Sequence, residues 1–150
     1  MPKTEPHLPP ALSLGDLPQH IGYALRRAQL AVFDDVIKSL AALDLRPAQF
    51  SVLLLIAENP GSKQTQIADA LGIQRPNFVA MLDELEHRKL AKRGQSSTDR
   101  RSRSVSLTVG GQALLLKAKK ILAAHESRIS SRLGDEGKSR LLELLAALAI

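Results

Sequence analysis

The chain has 150 residues, 44% hydrophobic and 24% charged, with a formal net charge of +6, the profile of one globular domain with a basic surface. It contains no cysteine, which excludes disulfides, thiolate metal sites and cysteine nucleophiles. No apolar run reaches the roughly 18 residues that span a bilayer, and no signal-type segment opens the chain, so the expectation is a cytoplasmic protein with no membrane role and an acidic partner, nucleic acid first.

Residues 1–18 hold Pro2, Pro6, Pro9, Pro10 and Pro18 and read as an extended arm, because proline fixes φ and removes a backbone donor. Over residues 19–43 no proline appears, and Ile21, Leu25, Ala28, Val32, Val36, Leu40 and Leu43 recur at helical spacing, which predicts a long first helix. Pro47 opens a second helix, closed by Asn59-Pro60-Gly61, whose run 50–57 is apolar nearly all round and is expected to be buried on most sides. A third helix, residues 63–71, stops at Gly72. A fourth starts near Arg75 and Pro76, with Phe78, Leu82 and Leu85 as its inward stripe.

Beyond Leu90 the pattern shortens. Residues 92–95 and 103–107 flank the polar SSTDRRS, and Val105 and Leu107 alternate with Ser104, Ser106 and Thr108, which predicts a β-hairpin with a cationic tip. Thr108 is placed to cap a helix over residues 109–133, with Leu114, Ala118, Ile121, His125 and Ile129 along one side and Gly134 as its end. A last helix from about Asp135 carries Leu141, Leu142, Leu144, Leu145 and Leu148, more apolar surface than one solvated face permits, so it needs another surface to cover it.

The segment SKQTQIADALGIQRPNFVAMLDELEHRKL has helix, glycine turn and helix in the proportions of a helix-turn-helix, whose second helix lies in the major groove. Followed by a basic hairpin, it becomes a winged helix. The order of elements carries this reading, since isolated helix pairs with a glycine between them are common.

The chain resembles the MarR family of transcriptional regulators over nearly all of its length after the arm. The resemblance rests on LRPAQFSVLLLIAENPG, QTQIADALGIQRPNFVAMLDELEHRKL, STDRRSRSVSLTVGGQALL and the Gly-Asp-Glu that opens the last helix. The family's Asp-x-Arg falls on Asp99 and Arg101, and its Leu-Thr-x-x-Gly on Leu107, Thr108 and Gly111. The resemblance implies a mainly α (α+β) fold: an arm (1–18), a dimerisation helix (19–46), a winged helix-turn-helix DNA-binding domain (47–108) and C-terminal helices that complete the dimerisation domain (109–150). It also implies a homodimer on a pseudo-palindromic duplex, with half-sites about 34 Å apart.

The residues fit this physically. Arg101 at the hairpin tip suits a narrow minor groove, with Arg100, Arg103, Lys92 and Arg93 on the phosphate backbone, and Asp99 suits holding an arginine in position. On the reading helix, Gln74, Arg75 and Asn77 stand at the amino end, where side chains meet base edges; arginine suits guanine and asparagine adenine. Val79 and Ala80 occupy positions that are often polar or basic in the family, and Glu84 sits where arginine is frequent, so readout is expected to lean on thymine methyl contacts and DNA shape; core packing is the alternative for Val79. Lys63 and Gln64 are expected on phosphate.

The resemblance further implies a small effector, an aromatic carboxylate or its CoA thioester, held in a crevice between the dimer helices and the reading domain. His20, Tyr23, Arg26, Arg27 and Phe50 are the candidates, with the arginines as partners for carboxylate or phosphate. Phe50 also reads as plain core, and Arg26 and Arg27 as the outside of a helix. His7, His87 and His125 show no metal-ligand spacing and no identifiable carboxylate partner, and no nucleophile elbow, P-loop or dinucleotide fingerprint occurs, so neither a cofactor nor an enzyme is expected. The reading is a repressor relieved by an aromatic ligand. Its rivals are an architectural DNA-binding protein without an effector and, more weakly, a winged helix that binds protein.

Overall fold

The structure, a computed structural model, describes residues 12–95, 100, 101 and 103–149; His7, Asp99 and the arm's first four prolines lie outside them. The chain divides into two compact units, Met1–Val32 and Phe33–Ile150. Its elements are α1 (Ile21–Leu40), α2 (Pro47–Glu58), α3 (Gln64–Leu71), α4 (Arg75–His87), β1 (Ala91–Gln95), β2 (Arg103–Leu107) and α5 (Val109–Leu148). Among the described residues no single helix is long and apolar enough to cross a membrane.

In the first unit a 3-10 turn, Leu17–Gln19, leads into α1, and the His20 N–H closes it on the Leu17 carbonyl. The first helix is therefore shorter than the span 19–43 expected from periodicity. Its α-helical part is Ile21–Leu40, and its far end also tightens into a 3-10 turn, Ala41–Leu43, as helix ends commonly do when the last carbonyls lack i+4 partners.

In the second unit α2 packs against α3, β2 and α5, which explains why its apolar residues run nearly all round the helix. Val52, Leu53 and Ile56 of α2 meet Ile67 and Ala68 of α3, Phe78, Leu82 and Leu85 of α4, and Leu115 and Ala118 of α5 in one core. One device opens both α2 and α3: a glutamine three residues in accepts from the backbone N–H before the helix. Gln49 takes the N–H of Arg46 at 2.9 Å and Gln66 that of Lys63 at 3.0 Å, each satisfying an orphan donor. The α1–α2 loop is latched by Arg88, which donates to the Leu43 and Asp44 carbonyls at 3.2 and 2.6 Å.

β1 and β2 pair antiparallel, with Ala91 opposite Leu107 and Gln95 opposite Arg103. The turn before α3 joins them: Val105 donates to the Ser62 carbonyl at 3.0 Å and receives the Gly61 N–H at 3.2 Å. The hairpin is thus tied to the helix pair through its second strand. Thr108 caps α5, accepting from the Gly111 N–H at 2.9 Å and donating to the Lys89 carbonyl at 2.6 Å. Gly111 must be glycine here, because a Cβ would stand 1.9 Å from the Leu90 carbonyl oxygen.

The expected end of this helix at Gly134 is one residue wide. Gly134 leaves helical geometry (φ 72°, ψ 169°), a conformation that glycine adopts without steric cost, and its kink divides α5 into the two helical segments expected, 109–133 and 135–148. His125 needs a correction, because it does have a carboxylate partner. It is 3% exposed, and its Nδ1 lies 2.5 Å from the Oδ2 of Asp35 on α1, which also accepts from Arg128 at 2.9 Å. Arg128 donates in addition to the Ser39 hydroxyl at 2.8 Å, so four polar side chains, through three hydrogen bonds, fasten α5 to the second half of α1.

Candidate nucleic-acid interface

Helix α4 begins on Gln74 in extended geometry, carries proline in its first turn and has no acidic residue there. Its first N–H groups therefore receive no side-chain cap, and no acidic residue of its own first turn meets the positive end of its dipole. The turn before it is tight: Gly72 sits at φ 62°, and Gly72 and Ile73 donate to the Asp69 and Ala68 carbonyls at 3.1 and 3.0 Å, closing α3 in Schellman fashion. This turn presents Gln74, Arg75, Asn77, Val79 and Ala80 together, all exposed. Val79 is 44% exposed, so core packing does not explain it. Lys63 precedes α3 and bridges to Ser104 of β2, and Gln64 is half-buried.

Toward the tip of the wing, Arg93, Gly94, Gln95, Arg100, Arg101 and Arg103 line an open cavity of about 440 Å³. Arg100, Arg101, Arg103 and Lys92 are exposed. Arg93 has a different occupation. Its side chain is 14% exposed and sits 2.6 Å from both Asp83 and Glu86 of α4, and its backbone N–H donates to Glu86 at 3.2 Å. It braces the wing against the reading helix, and its charge is largely met inside the protein. Glu84 is likewise paired with Arg46 at the start of α2. The three carboxylates on the second half of α4 are therefore met by two arginines, Arg93 between Asp83 and Glu86 and Arg46 on Glu84. Arg46, Asp83 and Glu86 had no local signal in the sequence, because their partners are distant or lie on another element.

Of the ligand candidates, His20, Tyr23, Arg26 and Arg27 lie in the first unit and Phe50 in the second. His20 stands 3.5 Å from Asp16 and Arg26 donates to Gln29 at 3.3 Å; Tyr23 is half-buried and Arg27 exposed. Phe50 packs, half-buried, on the core of its unit. Among the described residues no three His, Asp or Glu side chains converge as a metal site would require.

The family model described as MarR family matches residues 43–102, which take in the helix pair and part of the wing. A protein of Thauera aromatica named as a transcriptional regulatory protein for the hcr operon is 30% identical over 135 residues, covering 89% of this chain and 81% of its own length. The solved structure of the transcriptional repressor CouR bound to a 23-mer DNA duplex is 52% identical, with a TM-score of 0.90 over 93% of this chain and 99% of that one. CouR bound to p-coumaroyl-CoA is 49% identical, with a TM-score of 0.86 over 93% and 98%. With a reading helix, a basic wing and relatives matched along most of its length, this chain belongs to the MarR family of transcriptional regulators, which are not enzymes.

Proposed function

We propose that the chain is a homodimeric repressor that holds a pseudo-palindromic operator through two reading helices and two wings, and releases it when an aromatic acyl-CoA thioester binds. The observation that carries this reading is the four-arginine cavity toward the tip of the wing, on the same compact unit as the amino end of α4. An arginine there can enter a minor groove while its neighbours neutralise phosphates, and the first turn of α4 reaches base edges in the adjacent major groove. The likeness to CouR, known on DNA and with p-coumaroyl-CoA, supports both halves of the proposal.

Dimerisation follows from surface. Leu141, Leu142, Leu144, Leu145 and Leu148 stay exposed on α5, and Ile21 and Leu25 on α1, contiguous apolar rows of the kind that a second copy covers. Of the effector candidates on the first unit, Tyr23 would meet the aromatic ring, with Arg26 and Arg27 on the phosphates of the CoA and His20 at the polar edge; Phe50 is a separate aromatic candidate on its own unit. The ligand releases DNA only by binding more tightly to a subunit spacing that misfits the grooves, so the response is a difference of affinities.

The test is anisotropy of a labelled duplex selected from random sequence by the purified protein. A repressor keeps a preference of about a thousandfold or more over competitor DNA and lets go on addition of p-coumaroyl-CoA, but not of CoA or p-coumarate alone. Loss of binding in proportion to any competitor would make it an architectural protein; retention of DNA at saturating thioester would remove the effector.

A further inference from the structure

We infer that a slot between α3 and α4 reads one thymine in each half-site by enclosing its 5-methyl group, with Val79 as the specificity-determining residue. This rests on the DNA-binding reading above and adds which base is recognised and by which side chains. The slot holds about 80 Å³ and is lined by Gln64, Thr65, Ala68, Arg75, Phe78 and Val79. Ala68 and Phe78 form its closed side at 1% and 2% exposure, and Val79 is its open apolar lip. Gln64 and Ala68 stand one turn apart on α3, as do Arg75 and Val79 on α4, so each helix brings both polar and apolar side chains to the same opening.

Size and chemistry select the occupant. A water takes up about 30 Å³, so the slot has room for a methyl group and the ring edge that carries it, and none for a whole base pair. Its surface is almost wholly apolar, and a phosphate oxygen or a polar base edge placed there would give up hydrogen bonds to water without replacing them. In the major groove only thymine presents an apolar substituent, the C5 methyl. Arg75 and Gln64 at the rim are placed to bond the neighbouring base edge or phosphate, which would fix the register that delivers the methyl. Val79, at 44% exposure, is too open to serve the core, and it stands beside the polar residues of a reading helix.

The experiment uses the full chain and the duplex selected from random sequence, resynthesised with deoxyuridine in place of each thymine in turn, which removes the methyl and leaves the base pair intact. Burial of one methyl is worth about fourfold in affinity, so one thymine per half-site should cost about fourfold when replaced, and about fifteenfold when both half-sites are changed. In Val79→Ala the same replacements should cost little, because the wall against the methyl is gone; the exposed position makes misfolding of this variant improbable, and circular dichroism checks it. A duplex with 5-methylcytosine at that position should bind more tightly than one with cytosine. A flat uridine scan on a tightly bound duplex overturns the slot and leaves the repressor intact. A thymine whose methyl matters equally in Val79→Ala overturns the assignment to Val79. If no duplex is selected at all, the DNA-binding reading itself fails and the slot falls with it.

Discussion

Leucine has two fates in the larger unit. Leu53, Leu82 and Leu85 of the reading region have no exposed surface, whereas Leu141, Leu142, Leu144, Leu145 and Leu148, beyond Gly134, keep 36–56%. Residue type is the same, so the difference lies in what surrounds it. The helix pair and wing close a core around α2 from several sides, and only the polar and reading residues are left outside. The far end of α5 supplies apolar side chains with no such enclosure, and burying a leucine fully is worth about 1.5–3 kcal/mol. One region is complete within a single chain; the other is half of a core.

The largest effects should come from breaking the complete region. Leu82→Ala leaves a cavity at a site with no exposure and should lower unfolding stability by about 2–5 kcal/mol, read from urea denaturation. Next comes a pair of adjacent glycines with opposite outcomes. Gly111→Ala drives a Cβ to 1.9 Å from the Leu90 carbonyl oxygen, where backbone rather than a side chain must move, and should cost about 1–3 kcal/mol. At Gly110 the nearest atom is at an ordinary 3.6 Å, so Gly110→Ala should be neutral or gain up to about 1 kcal/mol from helix propensity. Equal losses at both would mean that α5 is not seated on the Leu90 turn as described.

The incomplete region should respond in the opposite way. Leu142→Glu with Leu148→Glu replaces two exposed side chains and should change the stability of the single chain by no more than about 0.5 kcal/mol, while sedimentation at micromolar concentration shows loss of self-association. A double variant that unfolds instead would show that these leucines already serve the monomer, and the contrast between the two regions would disappear.

What could be seen in the sequence was what is local. Pro47, Asn59-Pro60-Gly61 and Gly72 mark helix ends because capping is decided within a few residues, and the alternation around Val105 finds β2 because a strand's faces have period two. Periodicity on α1 found a face but not its partner: Val36 and Leu40 are buried while Ile21 and Leu25 on the same row are exposed. Contacts between distant residues left no trace. His125 and Asp35 are 90 positions apart, Arg88 reaches back to the α1–α2 loop, and Arg93 reads in sequence as one more cation of the wing although two carboxylates of α4 stand beside it. Gln49, 1% exposed, sits next to a run that composition alone would call uniformly apolar. At the interface, the start of the reading helix was legible because Gln74, Arg75 and Asn77 fall within four residues around Pro76; the slot was not, since it needs α3 and α4 placed side by side.

The smallest expected effect lies at the seam where α5 is fastened to α1. The hydrogen bond from His125, then that from Arg128, holds the Asp35 carboxyl below its ordinary value of 3.8. A carboxylate can only accept, so the His125 Nδ1 carries the proton it shares. A depressed folded-state pKa means that the unfolded chain takes up the proton first as pH falls. The stabilisation is therefore complete above the ordinary carboxyl value and is lost as pH drops through the lower, folded one. Asp35→Asn keeps the shape and removes this dependence. The stability gap between wild type and the variant should narrow as pH falls below about 4, followed by chemical denaturation at each pH. Because Asp35 is partly exposed, with its side chain at 37%, the gap itself should be small. A gap that widens in acid would mean that the proton is bound more tightly in the folded chain, and that the clamp on α5 is held by a neutral carboxyl rather than by a charged one.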